Sequence, residues 1–472
     1  MNISRSSLRL SIARFSSSII AFASITYFAQ NLGASALGTY FLFQTSTALL
    51  SLCSDVGVKG AIEKRISEGE DQSYYLTTGT AINSVLLLVI SSILFLFRAE
   101  VDDFLGAELT LLLIIALVVR AAFQLTIRIL NGELRVGETA SLLALRQVVW
   151  ASVGILLYHL GQGVNSLVYG LIISYAAVFV IGFNRRNTQF GGFSLTHGRS
   201  LFDYSKYHFV SVSGSQIYSW MDVAIIGIIL TQMHVGAYES AWRVTGVVML
   251  VSGSIATTIF PQISKWDAEG NTEKIEELIP NGIAWSLLLV VPAFFGALLL
   301  SEDILLYLFG EEFTIAWIAL IILLADKIVG AVQKIIGRSL SAINHPGLSA
   351  RASIVSIILN IIMNIIFIYQ FGIVGAAVAT FLSSSIGDLL HWLYLSRFID
   401  VRFPTRRFSW IVLSSVVMIL VLFAISRTIL PVTSLLNLFS TVGFGAIIYM
   451  GMIMLYRPFR SEIFSYVSDI RG

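Results

Sequence analysis

Residues 360–385 read NIIMNIIFIYQFGIVGAAVATFLSSS. Asn360 and Asn364 stand one helical turn apart in a run of isoleucines; Phe371-Gly372 follows, and then Gly375-Ala376-Ala377-Val378-Ala379-Thr380. This order predicts an apolar helix that crosses a membrane and turns tightly at glycine. The chain then returns as a helix of small side chains that lets neighbours approach closely.

The rest of the chain has the same character. Of its 472 residues 56% are hydrophobic and only 12% charged, where a soluble chain would carry about a quarter charged residues. The fold class is therefore an all-α polytopic membrane protein. A formal net charge of +2 says little, because in a membrane protein the placement of charge matters more than its sum. The single cysteine, Cys53, excludes an internal disulfide framework and a thiolate metal cluster. His159, His197, His208, His234, His345 and His391 show no ligand spacing, so no metal site is expected. The first apolar run is long enough to span, contains Arg14 and is followed by no small-residue cleavage pattern, so it reads as a helix and not as a cleaved signal.

Runs able to cross about 30 Å of hydrocarbon fall at 8–30, 40–60, 74–97, 109–130, 142–160, 163–183, 207–230, 236–262, 278–301, 313–342, 348–370, 373–395, 408–429 and 434–456. Fourteen helices are thus expected. With the N-terminus inside, 25 of the 30 Lys and Arg residues fall in alternate, cytoplasmic segments, and this asymmetry predicts both termini in the cytoplasm. The polar linker Asn184–Tyr204 splits the first twelve spans six and six. A faint repeat lies behind the split: Ala36–Tyr40 echoes His234–Tyr238, and Arg146 echoes Arg351. The expected organisation is two pseudo-symmetric six-helix lobes (1–195 and 196–400) followed by two C-terminal helices and a tail (401–472), the build of an alternating-access transporter. The charged stretch Ile263–Ile279 reads either as an amphipathic surface helix or as a solvated connector.

The pattern from Asn360 through Gly372 to Ala379-Thr380 resembles a signature near the end of the second lobe of polysaccharide exporters. These form a branch of the multidrug/oligosaccharidyl-lipid/polysaccharide exporter superfamily. Other stretches extend the likeness in order: Gly33–Tyr40, Asp222 with Val235–Ala241, Phe260-Pro261-Gln262-Ile263-Ser264, and Leu308–Phe313. The resemblance implies a flippase that moves a polyprenyl- or dolichyl-phosphate-linked sugar or oligosaccharide from the cytoplasmic to the outer face of the plasma membrane. Its implied partners are that lipid-linked glycan, membrane lipids and glycan-assembly enzymes, with no nucleic acid.

Charges within a bilayer are costly and are functional candidates by default. Arg120, Gln124 and Arg128 share one helix face at i, i+4 and i+8. Ser211, Ser215, Ser219 and Asp222 form a second stripe, Ser353, Ser356, Asn360 and Asn364 a third, and Ser7, Ser11, Arg14 and Ser18 a fourth. Lys327 and Lys334 share a further helix with Asp326 and Arg338. The candidate cavity set is Arg14, Arg120, Gln124, Arg128, Asp222, Lys327, Lys334, Asn360 and Asn364, with Arg120 foremost. Such cations suit a phosphate or pyrophosphate, whose oxygens guanidinium binds with paired hydrogen bonds.

Several of these residues also have a structural reading. Asp222 would pair with Arg243 or Arg120, Asn360 and Asn364 would make packing hydrogen bonds, and Arg14 would snorkel to the interface. Asp326 and Lys327 are adjacent, so they project about 100° apart and cannot both line one groove. Asp55 and Asp388 read as helix-end residues. No cofactor is expected, and the coupling ion is unspecified; no G-x-x-x-x-G-K-[ST] loop is present to bind ATP. Two alternatives compete. A cation-coupled multidrug exporter of the same superfamily is expected to carry acidic groups in its cavity, often in the first span, which here has none. A membrane glycosyltransferase or ligase needs acids or metal ligands after the first helix, and Asn31–Thr39 holds none.

Overall fold

The computed structural model describes residues 3–428, 432–462 and 464; within them the side chains of 3–16, 207, 210–212, 215, 250–251 and 426–428 lie outside the description. Among the described residues the secondary structure is helical throughout, without a strand. The chain resolves into two compact units, Met1–Gly236 and Ala237–Gly472.

The first unit holds α1 (Ile3–Asp55), α2 (Val58–Glu68), α3 (Gln72–Leu96), α4 (Arg98–Leu105), α5 (Thr110–Gly132), α6 (Val136–His159), α7 (Asn165–Phe183) and α8 (Leu195–Ile229). α1 breaks at Gly33, and residues from both of its arms, Phe28 and Tyr40, meet the Trp150 ring of α6. α8 packs on α1, α2 and α3. At one end of this unit Ile62, Ile66, Leu76, Ile129 and Leu201 close a small core.

The second unit takes up most of α9 (Gln232–Ala268). It continues with α10 (Thr272–Phe309), a 3-10 turn (Glu311–Ala316), α11 (Trp317–Ala342), α12 (Pro346–Leu395), α13 (Thr405–Thr428) and α14 (Leu435–Leu455). A straight helix with the 50 residues of α12 would run about 75 Å, far beyond a bilayer. It does not run straight. Gly372 has φ 60° and ψ −140°, a conformation that costs a Cβ-bearing residue energy and glycine little. Contacts across the break run in antiparallel register. Ser356 Oγ donates to the Ser383 carbonyl at 2.9 Å, and Asn360 Nδ2 reaches Thr380 Oγ1 at 3.3 Å and Ser383 Oγ at 3.2 Å. A Cβ on Gly375 would stand 1.9 Å from the Phe367 carbonyl oxygen. α12 is thus a hairpin of two arms. The small residues after the turn are what let the arms close.

Among the described residues ten helices are long and apolar enough to cross a membrane, or eleven when the bent α9 is taken as one span. The difference from fourteen has a physical origin. The runs 8–30 and 40–60 join in α1 and the runs 348–370 and 373–395 in α12, while the apolar part of α8 is the shorter Gln216–Ile229. Leu88 and Leu96 on α3, and Ile358, Ile362 and Ile365 on α12, are exposed, as expected of faces that meet hydrocarbon instead of water.

Candidate functional site

In the first unit, Arg120, Gln124 and Arg128 lie on one face of α5, and that face borders a polar cavity of about 310 Å³. The opposite wall comes from the end of α1 and the start of α2. Ser51, Asp55 and Lys59 recur there every fourth residue and line the same cavity.

Lys59 is only 2% exposed. A buried ammonium needs compensation, and two groups supply it. Its Nζ donates to Gln124 Oε1 at 3.0 Å and lies 3.9 Å from Asp55 Oδ1. Asp55 also accepts the Lys59 backbone N–H at 2.9 Å, which fixes the start of α2. Gln124 Oε1 takes a second donor, Ser51 Oγ, at 3.0 Å. With two donors on its oxygen, the amide is held in one orientation.

Arg128 is matched by Glu63 of α2 at 2.5 Å. Arg120 has no carboxylate among the described residues. Its Nη1 donates to Tyr175 Oη at 3.3 Å, its guanidinium lies 5.9 Å from the centre of the same ring, and its Nε is buried without a hydrogen-bond partner. Tyr175 of α7 stacks on Phe123, and Arg146 of α6 sits 5.8 Å from the Tyr175 ring centre. Two guanidinium groups therefore flank one tyrosine. The cavity walls carry three cations (Lys59, Arg120, Arg128) against Asp55 and, beyond the wall, Glu63. The excess of positive charge rests on Arg120, the group best able to accept a multivalent oxyanion.

Asp222, in the same unit, is not among the described residues that line this cavity. Asp222 is buried on α8, and Arg120 meets Tyr175. Arg14 lies on α1, with its side chain outside the described residues. In the second unit Lys327 Nζ reaches Asp326 Oδ2 at 2.8 Å and covers the Trp242 ring at 3.6 Å, while Ser384 donates to Asp326. The 100° divergence expected of adjacent residues is bridged because the long lysine arm swings back, leaving a neutral buried pair. Lys334 Nζ stands beside Gly253 of α9, 3.6 Å from where a Cβ would lie. Asn360 joins the two arms of α12, and Asn364 is buried on the first of them. This unit also has an apolar cavity of about 500 Å³ between α9, α10, α11, α13 and α14, lined by residues such as Val248, Leu288, Pro292, Leu324 and Leu422.

Lys59, Ser51, Asp55, Tyr175 and Arg146 were not among the candidates. The signal for the first three was present: 51, 55 and 59 repeat the spacing of 120, 124 and 128. It was masked because Lys59 reads as a loop cation and Asp55 as a helix end. No spacing ties Tyr175 to Arg120, 55 residues away.

Comparison with known proteins agrees with this architecture. The chain is 44% identical over 464 residues, 98% of both chains, to the probable low-salt glycan biosynthesis flippase Agl15 of Haloferax volcanii. It is 28% identical over 444 residues, 92% of this chain and 93% of the relative, to the probable flippase AglR of the same organism. Its fold is similar to that of the lipid II flippase MurJ in an inward closed conformation, with a TM-score of 0.80 at 19% identity over 96% of this chain and 99% of the other. Residues 27–317 match the polysaccharide biosynthesis protein family model, and the chain belongs to that family.

Proposed function

We propose that the protein flips a polyprenyl- or dolichyl-phosphate-linked sugar or oligosaccharide from the cytoplasmic to the outer face of the plasma membrane, as a transporter and not as an enzyme. One observation carries the reading at the level of chemistry: Arg120 borders a polar cavity and meets no carboxylate among the described residues. End-to-end similarity to a glycan biosynthesis flippase points the same way. In the proposed cycle the phosphate binds to Arg120 and Lys59 while the lipid chain stays in the hydrocarbon of the membrane. Binding energy at the head group offsets desolvation of the sugar as the path changes sides.

The proposal includes fourteen crossings with both termini in the cytoplasm. The breaks at Gly33 and Gly372 and the alternation of basic loops support that count. The division into lobes at 195 and 400 rests on the internal repeat and the linker. Glycan-assembly enzymes are the expected neighbours in the cell.

The test uses proteoliposomes loaded with a fluorescent dolichyl-phosphate-linked hexose, with flipping read as the fraction quenched by dithionite. Arg120→Ala should abolish flipping at near-normal protein levels, and Arg120→Lys should keep part of it. Full activity in Arg120→Ala would refute the assignment. Loss of folded protein in that variant would make Arg120 a scaffold residue instead.

A further inference from the structure

The linker that leads into α8, and the first three turns of that helix, carry an arrangement that head-group binding in the cavity does not use. Leu195 is 80% and Phe202 64% exposed, and Phe190 and Phe193 are exposed just before them. Leu195, Arg199, Phe202 and Lys206 follow one another at i, i+4, i+7 and i+11, so they form a single stripe, and all four are exposed. Leu201 and Ser205, on the other side, are buried against the unit. Apolar and basic side chains thus alternate along one outward stripe.

Its level in the fold is set by α3. His197 stacks on Tyr74 and lies 3.2 Å from Asp71, the residue preceding α3, and Ser194 N–H donates to Thr78 Oγ1 at 3.1 Å. The stripe therefore begins beside the first turns of a membrane span, Gln72–Leu96, where tyrosines mark the boundary between head groups and hydrocarbon. Next to it lies a hollow of about 490 Å³ lined by Arg65, Thr196, Arg199, Ser200, Asp203 and Tyr204. Arg65 Nη2 donates to Ser200 Oγ at 2.8 Å, which holds one wall. Arg199 belongs to both hollow and stripe and has no ion pair among the described residues. Lys206 is paired with Asp203 at 3.0 Å on the surface.

From this juxtaposition we infer that the start of α8 is a binding site for an anionic phospholipid of the surrounding leaflet. The head-group phosphate lies in the hollow against Arg199 and Arg65, and the acyl chains lie over Leu195 and Phe202. Charge complementarity selects the lipid: between Asn184 and Lys206 there are four Lys and Arg residues against the single acid Asp203. Exposed phenylalanines beside them favour a lipid surface over a dissolved anion.

The experiment measures lipid retained by the full-length protein, extracted from mixed phosphatidylglycerol and phosphatidylcholine vesicles and examined by native mass spectrometry. The wild type should retain phosphatidylglycerol preferentially. Arg199→Gln should lower that preference about fivefold, Arg199→Lys should restore most of it, and Phe202→Ser should weaken retention of both lipids alike. These side chains are exposed, so melting temperatures should not change. Equal retention of the two lipids by the wild type would overturn the inference. A preference that survives Arg199→Gln would also overturn it and leave the stripe to a protein partner. Displacement of phosphatidylglycerol by inorganic phosphate at equal concentration would do the same, showing a free-anion site. Flipping is not the readout, so the result is independent of the transport reading.

Discussion

Gln124 holds the charged wall of the cavity together, because its one carbonyl oxygen serves both Lys59 and Ser51. Gln124→Leu would leave a buried ammonium with only the more distant Asp55. A buried charged donor that loses its acceptor costs about 1–3 kcal/mol or more, and thermal unfolding in detergent should show a clear loss. Gln124→Glu separates stability from function. The new carboxylate would pair with Lys59 and hold the fold, yet would lower the positive charge of the cavity. We expect near-normal melting with strongly reduced flipping; unimpaired flipping in Gln124→Glu would mean that the cavity does not act through its charge. Half of this constellation was legible from periodicity alone, since Arg120, Gln124 and Arg128 had to share a face. The other half was not. A lysine at a helix boundary looks solvated until the partner helix that buries it is known.

Among the elements, the linker after α7 has its own lock. Glu133 lies in the turn between α5 and α6, and its Oε1 accepts the N–H groups of Asn187 and Thr188 at 2.8 Å each and the Thr188 hydroxyl at 3.0 Å. Burial by itself would raise the carboxyl's pKa, but these hydrogen bonds together with Arg135 outweigh it and hold the value below that of a free glutamate. A depressed folded-state pKa contributes stability that is present above the unfolded value and is lost as pH falls through the folded one. The linker amides should therefore lose protection on acidification below the ordinary carboxylate range. Hydrogen exchange at Asn187 and Thr188 checks this, and Glu133→Gln, which still accepts hydrogen bonds but does not titrate there, should remove the pH dependence. If wild type and variant respond alike, another group controls the linker.

The hairpin of α12 shows the opposite balance between sequence and structure. Its turn at Gly372 and its small returning face could be read directly from residue size and spacing. Ala376 and Ala379 are fully buried, whereas Val378 is only partly so. Ala376→Leu or Ala379→Leu should force the helix from its neighbours, an overpacking cost of about 1–3 kcal/mol, and flipping should fail with every charged contact intact. Val378→Leu should be tolerated. Normal transport by both alanine variants would show that this face has room to spare.

For the whole molecule, the question is how ten apolar helices among the described residues, two of them broken at Gly33 and Gly372, relate to fourteen apolar runs. Composition and basic loops made the membrane class evident. Helix boundaries were less so, because a break at a single glycine between two apolar arms leaves no polar loop to mark it. α12 allows a direct test. A single rod would place Gly347 and Arg397 on opposite sides of the membrane, whereas a hairpin turning at Gly372 returns Arg397 to the side of Gly347 and leaves Tyr369, 82% exposed, on the other. Cys53 is the sole cysteine, so Cys53→Ser gives a thiol-free background. Cysteines introduced singly at Gly347 and Arg397 should react with an impermeant maleimide only after the cytoplasmic face is opened, and one at Tyr369 should react in intact cells. The same chemistry at Glu68, Asn187 and Gly270 should report the cytoplasmic side, and at Asp103 and Glu302 the outer side. Labelling of positions 347 and 397 from opposite faces would remove the hairpin. The paired basic loops around Arg351 and Arg402 would then lie on different sides, and the assignment of both termini to the cytoplasm would lose its basis.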